Sequence, residues 1–318
     1  MSADDKKTLF DLLQNEANDF IEVALPDKPL SCPSCGCVEW VLKNGKRNGV
    51  QRYLSKKCNK SFMANTNTIL ERTHKPLETC KKFLECMVHA MSVLKTAEVC
   101  EINKNTAFIW RHKVLDALFQ LSNKTELNGI VEADETFFVV SYKGQKKHLP
   151  REAKKRATPA KKRGLSAEQV CVPCGLDRTG KVISKIDNFE KINHSGLAHV
   201  FGGRIKKNSV LYTDKASAYR KFSSDNYLQL IQLKGGKYKL DIYNINHINA
   251  YHSGLKTFIR PFKGISTKYL NNYLTWNIYT SQKGTIKEKT QTMLTGISQA
   301  NIVVRFNEIG NRPSVPIV

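Results

Sequence analysis

The sequence predicts an α/β protein in which a mixed sheet with flanking helices follows a small cysteine-bearing module and a helical segment. Residues 30–65 are short, turn-rich and basic, and they hold four cysteines. Residues 76–122 carry apolar residues at helical spacing. Beyond Gly129 the apolar runs shorten to strand length, and the order strand, hairpin, strand, strand, helices is typical of a mixed sheet. At 318 residues the chain is long enough for two or three folded units.

The charge of the chain indicates its class of partner. It has 51 Lys and Arg against 28 Asp and Glu, a net charge of +23. Seven of the acids lie within residues 1–27, which leaves 49 basic against 21 acidic residues in the rest of the chain. A surplus of this size favours a polyanionic partner, with nucleic acid ahead of an anionic membrane surface.

The N-terminal residues and the hydropathy predict a cytoplasmic, nucleoid-associated protein without a membrane partner. No apolar run approaches the roughly 18 residues needed to span a bilayer. The first residues, MSADDKK, lack the basic-then-apolar order of a signal peptide. The nine cysteines are therefore expected to be reduced. Residues 1–29 are expected to form an acidic helical arm that ends at Pro26 and Pro29.

Residues 30–65 have the cysteine spacing of a zinc-ribbon-like module. Cys32-Pro-Ser-Cys35 is followed after 19 residues by Ser55-Lys-Lys-Cys58. Two CxxC pairs about 15–20 residues apart place four thiolates around Zn²⁺, but Ser55 stands where the third is expected. Two arrangements stay open: either Cys37 completes a zinc site of Cys32, Cys35, Cys37 and Cys58, or the ribbon folds without metal. The basic residues expected to contact DNA phosphates here are Lys46, Arg47 and Arg52.

Residues 74–124 are predicted to contain a helix-turn-helix. A short helix, a break at Glu101–Lys104 and a longer amphipathic helix follow one another. In that arrangement the second helix enters the major groove, where Arg111 and Lys113 would face phosphates or bases. A plain helical bundle has the same periodicity, so the net charge and the neighbouring ribbon are what favour DNA binding.

Residues 128–282 form the predicted sheet domain, and a basic insertion, residues 143–166, follows its first strand. Ten Lys and Arg and one acid lie within residues 143–163. The alternatives are a solubilising loop and a segment that contacts phosphates, and its position after the first strand favours the second. The residues proposed for DNA contact there are Lys154, Lys155, Arg156, Lys161, Lys162 and Arg163. Residues 283–318 are expected to be a C-terminal tail.

Acidic residues interrupt two apolar strands of this domain. Asp134 lies within GIVEADETFFVV, and Asp214 ends the run VLYTD. Because a buried carboxylate is costly unless it is paired or bound to metal, two acids at neighbouring strand ends predict a site for Mg²⁺ ions. The structural alternative for Asp214 is a helix cap. Glu132 and Glu135 are reserve candidates, which we expect to lie on the opposite face of the strand from Asp134.

Three segments, VEADETFF, LYTDKASAY and HINAYHSGLKTFIRPFKGISTKYLNNYLTW, resemble in order the catalytic blocks of insertion-sequence transposases. With CPSCG…NGVQRY…CNKSF in the ribbon, the resemblance is to the IS-fifteen-ninety-five family and extends over about residues 30–280. It implies an RNase H-like catalytic core, dependence on Mg²⁺ or Mn²⁺ and recognition of terminal inverted repeats. By the same resemblance, Asp134 and Asp214 match the first and second catalytic Asp.

The third catalytic position departs from the pattern of the family. That position is usually a Glu within H-x-N-x-x-E, whereas here the segment runs from His247 through Asn249 to His252. A subgroup of the family has His at this position, so the resemblance implies that His252 is a metal ligand or orients one. Lys256, one turn further along the helix, is expected on the same face, where it would hold a DNA phosphate.

The resemblance implies two successive in-line displacements at phosphorus, with transposon ends and target DNA as double-stranded substrates. Paired ends imply a homodimer or a larger synaptic assembly. Three other functions stay open: a DNA-binding regulator without activity, a decayed or domesticated transposase that still binds DNA, and a structure-selective nuclease. Ser55 and His252 are the residues that favour decay.

Overall fold

The structure, a computed structural model, describes residues 31–47, 50–63, 75–145, 168–189, 191–233, 239–240, 243–300 and 302–313, and single positions 66, 71, 73 and 149. The predicted acidic arm and the DNA-contact residues of the basic insertion lie outside the described residues. Among the helices that are described, none combines the length and apolarity needed to cross a bilayer.

The cysteine-bearing module is a three-stranded antiparallel sheet. It consists of β1 (Val41–Arg47), β2 (Val50–Ser55) and β3 (Ser61–Met63), in the order β1-β2-β3. Its buried apolar residues are Cys32, Val41, Tyr53 and Phe62, and the last two rings lie 5.9 Å apart. A unit of about 40 residues or fewer buries too little apolar surface to be stable by packing alone, so it usually needs a metal or a crosslink.

Three helices follow the module. They are α1 (Leu77–Val88), α2 (Val93–Val99) and α3 (Lys104–Ser122). The predicted break between the second and third is present: Glu101 has a φ of 50°, and the side chain of Asn103 accepts a hydrogen bond from the backbone N–H of Asn105. Ser92 caps α2 in the same way, through the N–H of Lys95. The local sequence therefore accounts for where these helices begin and end.

A five-stranded mixed sheet forms the centre of the molecule. Its strands are β4 (Ile130–Val139), β5 (Gln169–Asp177), β6 (Val182–Ser184), β7 (Val210–Thr213) and β8 (Gln229–Gln232). The order is β6-β5-β4-β7-β8: β5 is antiparallel to β4 and β6, whereas β7 is parallel to β4 and β8. The predicted α/β class with a mixed sheet is thereby confirmed. The strands β9 (Lys239–Leu240) and β10 (Tyr243–Asn244) form a separate pair.

Helices cover both faces of the sheet. On one face, α4 (His194–Phe201) and α5 (Ala218–Asp225) pack on odd-numbered residues of β4 such as Val131 and Ala133. On the other, α6 (Asn246–Ile259) and α7 (Leu270–Ser281) pack on even-numbered residues such as Phe138. Two 3₁₀ turns, Arg260–Phe262 and Thr267–Tyr269, join α6 to α7. Each acid of β4 is thus assigned a face by its position in the strand.

The C-terminal residues are part of the core rather than a tail. They form α8 (Ile286–Gln299) and α9 (Phe306–Gly310). Met293, Leu294 and Ile297 of α8 are buried in one cluster with residues of α1, α3 and α7. Gly296 lies so close to α3 that a Cβ atom there would be 3.0 Å from a methyl carbon of Leu118. Within the described part of the expected tail, residues 283–318, an apolar helix face completes the helical core, and the expectation is corrected for that part.

Arg111 corrects a second expectation. Instead of facing DNA it is 1% exposed, and its Nη2 donates hydrogen bonds to Met91 O and Thr96 Oγ1. Its guanidinium lies over the ring of Trp276 at 4.6 Å. The cation is held by carbonyl, hydroxyl and π electrons, so Arg111 joins the helices and is not available to a phosphate.

Candidate active site

Three carboxylates converge where β7 ends. Ala133 of β4 pairs with Thr213, the last residue of β7, and β4 continues for six residues beyond that pair. Asp134 and Glu135 follow the pair on β4, and Asp214 follows it on the other strand. A carboxylate oxygen from each of the three lies within 4.8 Å of the others. The predicted meeting of Asp134 and Asp214 is therefore present in the structure.

Glu135 lies on the opposite face of β4 from Asp134, as expected, and yet its carboxylate belongs to this group. Alternation does direct it towards α5, where the hydroxyl of Tyr219 donates to its Oε1 at 2.6 Å. However, β7 ends at Thr213, which pairs with Ala133. Beside Glu135, β7 therefore no longer separates the two faces of the sheet. The longer side chain of Glu135 consequently reaches the same edge as Asp134. Alternation along one strand cannot reveal where the neighbouring strand stops.

Burial makes this group of acids receptive to a cation. It raises the pKa of Asp134 to about 6 and the pKa of Glu135 to about 7, and the nearby charge of Asp214 adds to both shifts. Carboxylate oxygens are the ligands that Mg²⁺ prefers, and like charges at this spacing are stabilised by a divalent ion. The donor set therefore fits Mg²⁺ or Mn²⁺.

His252 joins the carboxylates from α6. Its Nδ1 lies 3.7 Å from Asp134 Oδ2, and the residue is 8% exposed. No group in the described part of the chain hydrogen-bonds to its buried Nε2. Burial, followed by the charge of Lys256, lowers the pKa of His252 to about 4, so the ring is neutral at physiological pH. Lys256 is exposed one turn further along α6.

Glu132 holds the start of α6 against the sheet. It is 1% exposed, and its Oε2 accepts a hydrogen bond from the N–H of Ile248 at 3.0 Å. Its Oε1 lies 2.8 Å from both Arg178 Nη1 and His247 Nδ1. The placement of Glu132 opposite Asp134 was wrong, because residues two apart in a strand share a face.

The anchor at Glu132 sets the register of α6. Two strand residues span about 6.6–6.8 Å, and the four to five helix residues from the anchor to His252 rise about 6–7.5 Å. A helix fixed at Glu132 therefore brings His252 beside Asp134. Two features of the sequence could have indicated the contact between Glu132 and the start of α6. Glu132 is an acid within an apolar strand, and His247 opens the H-x-N motif.

A second group of potential ligands lies in the cysteine-bearing module. Thiols of Cys32, Cys35 and Cys58 lie within 4.8 Å of one another. The fully buried Ser55 places its Oγ 3.4 Å from the sulfur of Cys35. The hydrogen bond from Ser55, then one from the backbone of Cys37, lowers the pKa of Cys35 to about 7. The thiol of Cys37, which one of the two open arrangements placed in the zinc site, is not part of this group.

The other predicted DNA contacts are spread over the module and α3. Lys46 and Arg47 are exposed at the end of β1. Arg52 is half-buried and donates to Ser61 Oγ at 3.0 Å. Lys113 is half-buried on α3. Sequence reasoning did not single out Trp40, which is 57% exposed and lines a cleft of about 700 Å³ together with Lys56 and Lys57.

Comparison with known proteins gives a family match over the sheet domain. Residues 126–279 match the ISXO2-like transposase domain, a range that begins just before β4 and ends within α7. The chain is also similar to an uncharacterized protein in transposable element ISH50 of Halobacterium salinarum. The two are 24% identical over 248 residues, which is 76% of this chain and 82% of the relative.

Two solved structures show weaker likeness. One is the simian T-cell lymphotropic virus intasome in complex with PP2A regulatory subunit B56 gamma, with a TM-score of 0.33 and 15% identity over 51% of this chain and 52% of that chain. The other is a pre-cleavage Mos1 transpososome, with a TM-score of 0.24 and 13% identity over 68% of this chain and 78% of that chain. At these scores neither likeness adds to the assignment. Residues 126–279, which hold the three carboxylates and His252, are therefore similar to the ISXO2-like transposase domain, and this match supports the resemblance to the IS-fifteen-ninety-five transposases over the sheet domain.

Proposed function

We propose that the protein binds the terminal inverted repeats of an insertion sequence, cleaves DNA at the ends and transfers the resulting 3′-OH groups into target DNA. The observation that carries the proposal is the meeting of Asp134, Asp214 and His252 at one edge of the sheet. Two carboxylates and a neutral imidazole brought together from three elements form a donor set for catalytic metal ions.

The proposed chemistry is two in-line displacements at phosphorus. In the first, a water oxygen bonds to phosphorus and the 3′ oxygen leaves as a hydroxyl. In the second, that hydroxyl attacks a target phosphodiester and displaces a target 3′-OH. Asp134, Asp214 and His252 would hold Mg²⁺ or Mn²⁺, which supplies activation of the nucleophile and stabilisation of the leaving oxygen. Lys256, exposed beside them, would position the phosphate by its charge.

DNA binding is proposed for the basic residues of the chain. The net charge of +23 supplies the attraction, and Lys46, Arg47, Arg52 and Lys113 are the described candidates. Zn²⁺ in the module is proposed to be held by Cys32, Cys35 and Cys58. Such a small core gains from metal crosslinking, and the thiolates fit zinc. Because two ends are processed together, the working form is proposed to be a homodimer or a larger assembly.

The test is a strand-transfer assay with the repeat ends that flank the gene, in Mg²⁺ and in Mn²⁺. Asp134→Asn and Asp214→Asn should each abolish metal-dependent cleavage while end binding is kept. Asp225→Asn is the matched control, because Asp225 is an exposed acid on α5 that pairs with His194. Cleavage by Asp134→Asn at the wild-type rate would refute the proposal.

The alternative is a decayed or domesticated transposase that binds DNA without cutting it. Ser55 and His252, the two departures from the family pattern, favour it. Specific binding of the repeats with no cleavage in either metal would establish this alternative, and cutting without joining would indicate a nuclease.

A further inference from the structure

We propose that Glu135 is a third carboxylate ligand of the metal site, supplying the negative charge that His252 does not. The inference rests on the proposed function, because it concerns the same ions. The family motif does not assign Glu135 this role, and the sequence pattern made it only a reserve candidate.

The first support is the position of Glu135. One of its carboxylate oxygens lies within 4.8 Å of oxygens of both Asp134 and Asp214. Neighbouring residues of a strand normally point to opposite faces, so their carboxylates do not share a site. Here the end of β7 removes the barrier between the two faces at this point. The overhanging part of β4 thus presents two consecutive acids to one place.

The second support is His252. It is nine-tenths buried, its Nδ1 faces Asp134 at 3.7 Å, and its Nε2 has no hydrogen-bond partner among the described residues. A buried, unpartnered imidazole beside acids is suited to a cation. However, a neutral imidazole brings no charge, so two aspartates alone would offer two negative charges to two divalent ions. Glu135 restores the charge of a three-carboxylate site.

Tyr219 fixes the orientation of Glu135. Its ring is fully buried in α5, and its hydroxyl donates to Glu135 Oε1 at 2.6 Å. This bond leaves Oε2 with both lone pairs for an ion. Partners that orient a ligand typically change metal affinity by about 10–100-fold when they are removed, so Tyr219 is a positioning residue in this proposal.

The competing explanation is that Glu135 is only a polar core residue paired with Tyr219. Glu135→Gln separates the two explanations. The amide keeps an oxygen that accepts the tyrosine hydroxyl, but it loses the charge that an ion needs. A structural role therefore predicts an unchanged metal affinity, and a ligand role predicts a weakened one.

The experiment measures Mn²⁺ binding to the full-length protein without DNA, by titration with electron paramagnetic resonance of the free ion. Glu135→Gln should raise the Kd for Mn²⁺ at the site by on the order of tenfold or more, and Tyr219→Phe should raise it by about tenfold. Asp225→Asn removes one negative charge outside the site and should leave the Kd within about twofold. Thermal melting without metal shows whether each variant is folded, and a destabilised Glu135→Gln would leave Tyr219→Phe as the deciding variant.

The outcomes separate this inference from the proposed function. If Asp134→Asn loses Mn²⁺ while Glu135→Gln and Tyr219→Phe bind it within twofold of wild type, Glu135 is not a ligand and the proposed function stands. If Asp134→Asn binds Mn²⁺ as the wild type does, or if the wild type binds none, both the inference and the proposed function are overturned. A weakened Glu135→Gln together with an unchanged Asp225→Asn supports the inference.

Discussion

At the scale of single residues, His252 is the position that most distinguishes this site from the pattern of the family, which usually has a Glu there. Imidazole nitrogen prefers softer transition ions to Mg²⁺. We therefore expect His252→Glu to retain activity and to lower the ratio of the Mn²⁺ rate to the Mg²⁺ rate several-fold. His194→Glu, at a partly exposed position on α4, is the control and should leave the ratio unchanged. Equal Mn²⁺ to Mg²⁺ rate ratios in wild type and His252→Glu, together with a fully active His252→Ala, would show that His252 has only a structural role in α6.

Ser55 and Cys37 offer a residue-scale test of the cysteine group. Because the buried Ser55 Oγ lies 3.4 Å from Cys35 Sγ, Ser55→Cys should add a fourth thiolate and raise zinc affinity at least about tenfold. Cys58→Ser should lose bound zinc, whereas Cys37→Ser should retain it, since the Cys37 thiol lies outside the group. Zinc content by elemental analysis and competition with a chelator provide the measurement. Loss of zinc in Cys37→Ser would restore the four-cysteine assignment.

At the scale of elements, the contact between α3 and the turn before α7 should make stability depend on pH. The buried ring of His112 lies between Phe108 and Tyr269, with centroids at 4.6 and 4.2 Å. Burial lowers its pKa to about 3 from an ordinary 6.5. The unfolded chain therefore binds the proton more readily. The stabilisation is complete above about pH 6.5 and is lost as pH falls towards 3, at roughly 1.4 kcal/mol per pH unit.

His112→Phe keeps an aromatic ring and removes the proton site. Urea unfolding between pH 7 and 4 should therefore show a weaker loss of stability than wild type. His194→Gln, which changes a partly exposed histidine, is the control and should follow the wild-type curve closely. Parallel curves for His112→Phe and wild type would contradict the buried neutral state.

The anchor between β4 and α6 predicts a measurable loss of stability. Glu132→Ala leaves the N–H of Ile248 and the charge of Arg178 without their acceptor, and we expect a cost of roughly 1.5–3 kcal/mol. Arg178→Ala should cost less, because the arginine is 30% exposed and Glu132 keeps its other hydrogen bonds. Urea unfolding measures both. A larger cost for Arg178→Ala would show that the ion pair, rather than the helix N–H, fixes α6.

The elements also show how far the sequence could predict this molecule. Strands, helices and the pair Asp134 and Asp214 depend on local patterns and a family motif, and they are found as expected. The burial of Arg111 and the contact of Glu135 with the other two acids were not predicted, for a different reason. Their surroundings are set by Trp276 of α7 and by the end of β7, which lie far along the chain. Local periodicity predicts which face of a helix or strand a residue lies on. It does not predict which distant part of the chain packs against that face.

At the scale of the whole molecule, the helices before and after the sheet domain share one core. Truncation after residue 283 removes Met293, Leu294 and Ile297, which pack with α1 and α3. Losing a buried side chain of this kind costs about 2–5 kcal/mol each, and total stability is about 5–15 kcal/mol. The truncated protein should therefore be unfolded or insoluble, although the family match ends at residue 279.

A truncation after residue 313 is the control and should fold, since it keeps α8 and α9. Circular dichroism and thermal melting compare the two. A well-folded truncation at 283 would show that α8 is dispensable. For the same reason a fragment that ends near Asn123 would expose the apolar faces of α1 and α3, so repeat binding is best measured on the full chain.

The six-residue overhang of β4 beyond β7 has a consequence for how DNA sequences are distinguished. It places the three carboxylates at the rim of the sheet, where Asp214 is exposed to solvent and Asp134 and Glu135 are partly buried. Carboxylates that act on the phosphate group meet a feature that every nucleotide shares, and such contacts carry no information about the base. Under the proposed function, choice of sequence must then be made by parts of the protein remote from the reacting phosphorus.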